Sequence, residues 1–289
     1  MNSGYFAQYL LNEGFINDDE AGRLLRASTE KKAGISLSAL RSGMISPEHL
    51  ETLTARDGEE FLHAAAENGM LSAAQVEELR SSISDDDLNF AQVLLDENRA
   101  DVRKIKELFD ACDALEASPV RQVVLDKAAK AELFMEADRY ADFSELFVRS
   151  FKRFMQTPVI VKADEPITES AELSHIVSQR LLGDVTMVTG IHAQDDVFLE
   201  MARRFSGEDI TEVDELTVDS LCEFLNVING LFAVDVARQE LEIDLDAPRV
   251  AENSYADGNL QLVLLIETGF GKFALVLAGD EFVLHSVNE

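Results

Sequence analysis

Asp219, Glu223, Asn226 and Gly230 are spaced four, three and four residues apart. At about 100° per residue that spacing puts all four on one line down a helix. The surrounding segment, LTVDSLCEFLNVINGLFAVDVARQ, predicts such a helix over 216–239. Leu221, Leu225, Ile228 and Phe232 fall almost opposite and make its buried face. An ordinary water-facing stripe carries pairs of Lys and Glu. This one carries carboxylates, then a carboxamide a turn on, then a glycine. Glycine costs a helix about 1 kcal/mol against alanine. A mid-helix glycine on the outer face therefore points to something that comes close to the backbone. The stripe is suited to presenting Glu223 and Asn226 to a macromolecular partner.

The elements around this helix define an α+β domain. Phe143, Phe147, Phe151 and Phe154 stand near helical spacing in FSELFVRSFKRFMQ and read as core. Pro158–Lys162 reads as a short strand. Leu173–Leu182 and Val185–Ala193 pair across Gly183-Asp184, and Gln194–Phe205 is a helix. A strand at Leu241–Leu245 follows the long helix. Leu260–Glu267 and Lys272–Ala278 form a hairpin through Gly269-Phe270-Gly271. Strands and helices that mix without strict alternation predict an antiparallel sheet.

The first half of the chain has a different grammar. Gly14, Gly43, Gly69 and Asn98 each end a predicted helix, where a left-handed cap suits those residues. An apolar anchor follows two residues on. Asn17, Ser46, Ser72 and Asp101 then stand as helix N-caps, with Glu20 and Gln75 placed for capping boxes and Pro47 at a first helical position. Four degenerate helix-turn-helix units predict an all-α domain over 1–125. Residues 126–140 read as connecting helix, with a break offered at Ser118-Pro119, and 141–289 as the α+β domain. The four units resemble the helical N-terminal repeats of type II secretion ATPases. Their turns carry no arginine-bearing ligand motif, which favours packing or interaction over nucleotide binding.

Composition narrows the function classes. The net charge of −30 over 289 residues repels phosphate backbones and anionic headgroups, which argues against nucleic-acid and membrane-surface roles. No run approaches the roughly 20 apolar residues of a membrane span, and the N-terminus lacks the basic and apolar regions of a signal peptide. A cytoplasmic protein is expected. Cys112 and Cys222 form no CxxC or zinc spacing and read as reduced, packed thiols. His49, His63, His175, His192 and His285 show no HxxH or HExxH spacing, so no metal is expected in this chain. Asp85-Asp86-Asp87 reads as a helix-start charge cluster.

Asp219-x3-Glu223-x2-Asn226, then a strand-like run and Pro248, resembles the signature of the CheC/CheX/FliY chemotaxis phosphatases. Residues 173–215 resemble the family's hairpin, helix and acidic turn, and Leu260–Ala278 its closing hairpin. Pro248 lies one residue closer to Asn226 than the usual pattern, and Cys222 stands where the family commonly has Gly. The resemblance implies a CheX-like C-terminal domain that hydrolyses the aspartyl phosphate of a CheY-like response regulator. An acyl phosphate is already reactive, so the task is mainly to position water in line with phosphorus. Asn226 would orient that water, as a carboxamide is donor and acceptor together and stays neutral. Glu223 would pair with a lysine of the response regulator, and Asp219 and Gly230 would complete the docking face. No cofactor is implied in this chain; Mg²⁺ would be carried by the phosphorylated response regulator. The alternative is a catalytically silent receiver-binding or dimerisation module with a helical localisation domain. A homodimer is expected on two grounds. The resemblance suggests paired sheets, and the two apolar strands of the last hairpin would make an adhesive edge if exposed.

Overall fold

The chain, described by a computed structural model at residues 4–53, 57–81, 85–162, 175–279 and 282–286, divides into two compact units. They are Met1–Pro119 and Val120–Glu289.

The first unit holds α1 (Phe6–Asn12), α2 (Asp18–Thr29), α3 (Ile35–Arg41), α4 (Pro47–Thr52), α5 (Gly58–Glu67), α6 (Ala73–Ser81), α7 (Asp86–Asp96) and α8 (Val102–Asp113). No strand occurs among its described residues. Its turns follow from local chemistry. Gly14, Gly43, Gly69 and Asn98 are all left-handed, at φ 68, 72, 67 and 54°. In each case the next amide reaches back five residues: Phe15 to the Leu10 carbonyl (2.9 Å), Met44 to Ala39 (3.0 Å), Met70 to Ala65 (2.8 Å) and Arg99 to Leu94 (2.9 Å). These bonds satisfy carbonyls that a helix end otherwise orphans. Ile16, Ile45 and Leu71 follow and are buried. Asn17, Ser46, Ser72 and Asp101 then cap the next helix through the amide three residues on. The Glu20 and Gln75 side chains return to the Asn17 and Ser72 amides, completing two capping boxes.

A few non-local contacts close this unit. Asp85 caps α7, while Asp87 is buried and accepts from the Gly4 and Phe6 amides. Arg41 pairs with Asp87 at 2.9 Å and lies 4.8 Å over the Phe109 ring. The acidic triplet therefore starts a helix, as its sequence suggests, and also anchors the approach to α1. Cys112 is wholly buried beside this cluster. Burial, then Asp87 and Asp113, push its thiol up to about 12, with Arg41 opposing.

The second unit begins with α9 (Pro119–Lys130) and α10 (Ala137–Met155). The break offered at Ser118-Pro119 is there: α8 ends at Asp113 and α9 starts at Pro119. Pro119 stands at the first helical position, where its missing N–H costs nothing. Then follow β1 (Val159–Lys162), β2 (His175–Gly183), β3 (Met187–Ala193), α11 (Asp195–Ser206), α12 (Glu215–Ala237), β4 (Ile243–Leu245), β5 (Arg249–Glu252), β6 (Ser254–Gly258), β7 (Leu262–Thr268), β8 (Lys272–Ala278) and β9 (Phe282–Ser286). Residues 173 and 174 of the expected strand lie outside the described residues. The main sheet is antiparallel in the order β1-β7-β8-β3-β2-β4, with β5 also on β2; β6 and β9 form a separate pair. Gly183 ends β2 at φ 125°, and a Cβ there would come within 2.4 Å of the Glu242 carbonyl, so only glycine fits.

This topology overturns one expectation. The strands of the last hairpin are not an edge. β7 lies between β1 and β8, and β8 between β7 and β3, so both are covered within the chain. The hairpin therefore offers no free edge through which a second copy could pair.

The core lies between the sheet and α10–α12. Phe143, Phe147 and Phe151 are fully buried. Phe143 meets Phe232 edge-on at 5.2 Å, Phe147 meets Phe224 at 6.2 Å, and Phe151 stacks on Phe273 at 5.0 Å. Each such ring contributes roughly 1.5–3 kcal/mol by burial, and together they set α10 and the sheet against α12. α12 is long and apolar enough to cross a membrane by composition alone. Here it has the one-sided burial of a core helix, with Leu221, Leu225, Ile228 and Phe232 inside and Asp219 and Glu223 outside.

Candidate functional site

α12 is started by Asp214, whose carboxylate accepts from the Thr217 amide while the Thr217 hydroxyl accepts from the Asp214 amide. From there the helix runs over β2 and β4. Its outward stripe faces the loop after β4. Asp219, Cys222, Glu223 and Asn226 make one wall of an open groove of about 500 Å³, and residues 245–248 make the other. The groove contains three of the four stripe residues. Gly230 lies a turn beyond it. A Cβ on Gly230 would meet nothing within 4 Å, so packing within the chain gives no reason for a glycine there.

Glu223 and Asp219 are exposed and make no ion pair among the described residues. Asn226 differs from its sequence expectation: it is half-buried and held. Its Oδ1 accepts from Gln179 Nε2 at 2.9 Å. Gln179, on β2, is buried, and the same Nε2 donates to the Asp246 carbonyl at 2.8 Å. On its other side Gln179 Oε1 accepts from Asn229 Nδ2 at 2.7 Å. Asn229 is fully buried on α12 and lies against the Thr189 hydroxyl, 2.9 Å from Nδ2 and 3.0 Å from Oδ1. The Asp246 amide in turn donates to the Arg180 carbonyl at 2.9 Å, which pins the groove loop to β2. In this low-polarity setting a fully bonded amide chain is stiff, and an unpaired member would be costly.

Gln179, Thr189, Asn229 and Asp246 are the members that sequence spacing does not pick out. A partial signal exists. In HIVSQRLL, Gln179 is in phase with His175, Val177 and Leu181, and a polar residue at an inward strand position needs a partner. His175 uses its own in the same way, 3.0 Å from Asp195 and stacked on Phe198. Cys222 is half-buried. Burial raises its thiol pKa, and Asp219 adds to the rise, so it stays a neutral thiol near neutrality.

The groove is open, with carboxylates on its rim and one oriented carboxamide, and is not an enclosed pocket. The domain is similar to known proteins. Residues 176–260 match the family described as chemotaxis phosphatase CheX, and the C-terminal half is a CheX-like α+β domain. Similar solved structures include the chemotaxis protein CheX from Vibrio vulnificus (14% identity, 49% of this chain and 93% of that one, TM-score 0.38). Another is the CheX-CheY-BeF₃-Mg complex from Borrelia burgdorferi (17% identity, 49% and 97%, TM-score 0.33). A third is FliY from Thermotoga maritima (11% identity, 49% and 82%, TM-score 0.34). No curated protein matches the chain by sequence.

Proposed function

We propose that the C-terminal unit removes the phosphoryl group from the aspartate of a CheY-like receiver domain. The family match over 176–260 supports a phosphatase of this class. The observation that carries the finer reading is Asn226. Its oxygen is tied to Gln179, its Nδ2 has no partner among the described residues, and the residue lines the groove beside the exposed Glu223. A carboxamide held in this way donates from Nδ2 to a water, and the second lone pair of Oδ1 remains to accept from it. The water oxygen attacks phosphorus in line, the bond from phosphorus to the receiver's aspartate oxygen breaks, and that carboxylate leaves. The chain needs only to position the water and exclude misaligned approach. Glu223 docks against a receiver lysine, with Asp219 adding negative charge along the same rim. Gly230 leaves room for the partner to lie against the helix. Mg²⁺ travels with the phosphorylated receiver, and the protein works in the cytoplasm with it.

The test is phosphate release from a phosphorylated receiver domain. Asn226→Ala is expected to slow it by about 100-fold, the usual scale for a lost positioning contact. Glu223→Lys is expected to weaken binding of a phosphomimic-bound receiver by placing like charges together. Full activity in Asn226→Ala removes the water-orienting role. Binding by the wild type without any hydrolysis would instead define a silent receiver-binding module.

A further inference from the structure

We propose that Gln179 is a positioning residue that fixes which end of the Asn226 amide faces the groove. The inference rests on the function proposed above, but its physical basis is independent. A carboxamide looks nearly the same in either orientation, and here hydrogen bonding removes the ambiguity. The Asp246 carbonyl can only accept. The Gln179 atom 2.8 Å from it is therefore Nε2, the donor. Oε1 is then on the opposite side, where it meets a donor, Asn229 Nδ2, at 2.7 Å. The second Nε2 hydrogen points at Asn226, so the atom it meets at 2.9 Å is Oδ1. Both hydrogens and the oxygen of Gln179 are used. One backbone carbonyl on the groove loop thus dictates, through Gln179, that Asn226 turns Nδ2 outward.

The consequence is directional. Flipping Asn226 would put two donors, its own Nδ2 and Gln179 Nε2, against each other inside a buried network, which the low local polarity penalises. Gln179 therefore keeps the water-orienting donor in place between turnovers, with no rearrangement needed when the receiver docks. It is 2% exposed and does not line the groove, so it acts only through Asn226 and the loop.

Gln179→Glu replaces the donor with an acceptor. In that variant Asn226 turns Nδ2 inward, toward the carboxylate, and presents Oδ1 to the groove. Gln179→Met removes both polar ends at similar volume and leaves the Asn226 amide free to take either orientation. The full chain is used, with ¹⁵N-labelled asparagine, and the Asn226 side-chain amide resonances are identified by their loss in Asn226→Asp. The wild type should show Nδ2 protons in rapid exchange with water. Q179E should slow that exchange and shift the resonances. On a phosphorylated receiver, Q179E should lower kcat by about 100-fold with KM within about twofold, and Q179M should lower kcat several-fold. Ile191→Val, a core truncation on the adjacent strand β3, should lower Tm but leave kcat unchanged.

Unchanged Asn226 amide resonances in Q179E would overturn the proposal. So would a kcat within twofold of wild type, or a KM that rises in step with the fall in kcat. An inactive wild type would sink the phosphatase reading alone, since the amide resonances would still decide the orientation.

Discussion

The turns of the N-terminal unit and the groove of the C-terminal unit satisfy their polar groups in opposite ways. In the N-terminal unit the turns are made by atoms close in sequence. Each left-handed residue closes a bond over five positions and each cap a bond over three. In the C-terminal unit the decisive polar contacts are long-range. Gln179 meets Asn226 across 47 positions and the Asp246 carbonyl across 67. The first unit is stitched by local rules that repeat from turn to turn. The second concentrates its non-local bonds under the groove, where a side chain must be held still. Local bonds make a scaffold that tolerates a lost stitch. A connected buried network has no redundancy, so one lost member orphans several others.

Substitutions can break that contrast. The largest effect is expected from Asn229→Ala. It removes a fully buried amide, leaves Gln179 Oε1 without its partner and leaves the Thr189 hydroxyl only a long 3.5 Å bond to the Gln179 carbonyl. One orphaned acceptor at roughly 1–3 kcal/mol, together with a weakened hydroxyl bond, gives about 3 kcal/mol of destabilisation. Peptide-resolved hydrogen exchange should show it over β2, β3 and α12. Asn226→Ala should cost less, because only one Gln179 hydrogen loses its acceptor, yet more than a free surface residue would. A loss below about 0.5 kcal/mol would mean the network is not under tension from its outer end.

Next comes Gly43→Ala. A Cβ there meets nothing within 4 Å, but φ is 72°. The cost is purely conformational, about 1–2 kcal/mol, and Gly43→Asn should recover much of it. Urea unfolding of the 1–119 fragment followed by circular dichroism measures both. A random-coil spectrum for that fragment would show that local bonding does not suffice.

Gly230→Ala sharpens the comparison, because its sign reverses. Gly230 also has open space around it, but it sits in ordinary helical backbone. Alanine should therefore stabilise α12 by about 0.5–1 kcal/mol. If a receiver lies against that backbone, the same methyl should weaken binding. Stability up and affinity down is the signature of a glycine kept for a partner; unchanged affinity would remove Gly230 from the docking face.

A further effect is a pH dependence in the N-terminal unit. The Cys112 thiol pKa is raised to about 12 in the folded state, against roughly 8.5 in an unfolded chain. Between those values the unfolded chain loses a proton that the folded one keeps. Stability should therefore hold below about pH 8.5 and fall as pH rises toward 12. Comparing urea midpoints at about pH 8 and 10 tests this, with Cys112→Ala expected to flatten the slope.

The sequence by itself determined the turns, the caps and the stripe. Glycine at a helix end, Asn, Ser or Asp three residues before its amide partner, and polar residues at 3.6-residue spacing all act through neighbours fixed by the covalent chain. Asp219, Glu223 and Asn226 share a groove wall because a helix leaves them no alternative. Other matters were left to the tertiary structure. The last hairpin has the apolar, proline-free pattern of an edge and is interior, because pairing partners come from distant segments. Asn226 has the spacing of a free surface residue and is anchored. Its orientation depends on a carbonyl and a glutamine brought together by sheet register, and register is decided by how β2, β3 and β4 pair, which no local pattern encodes.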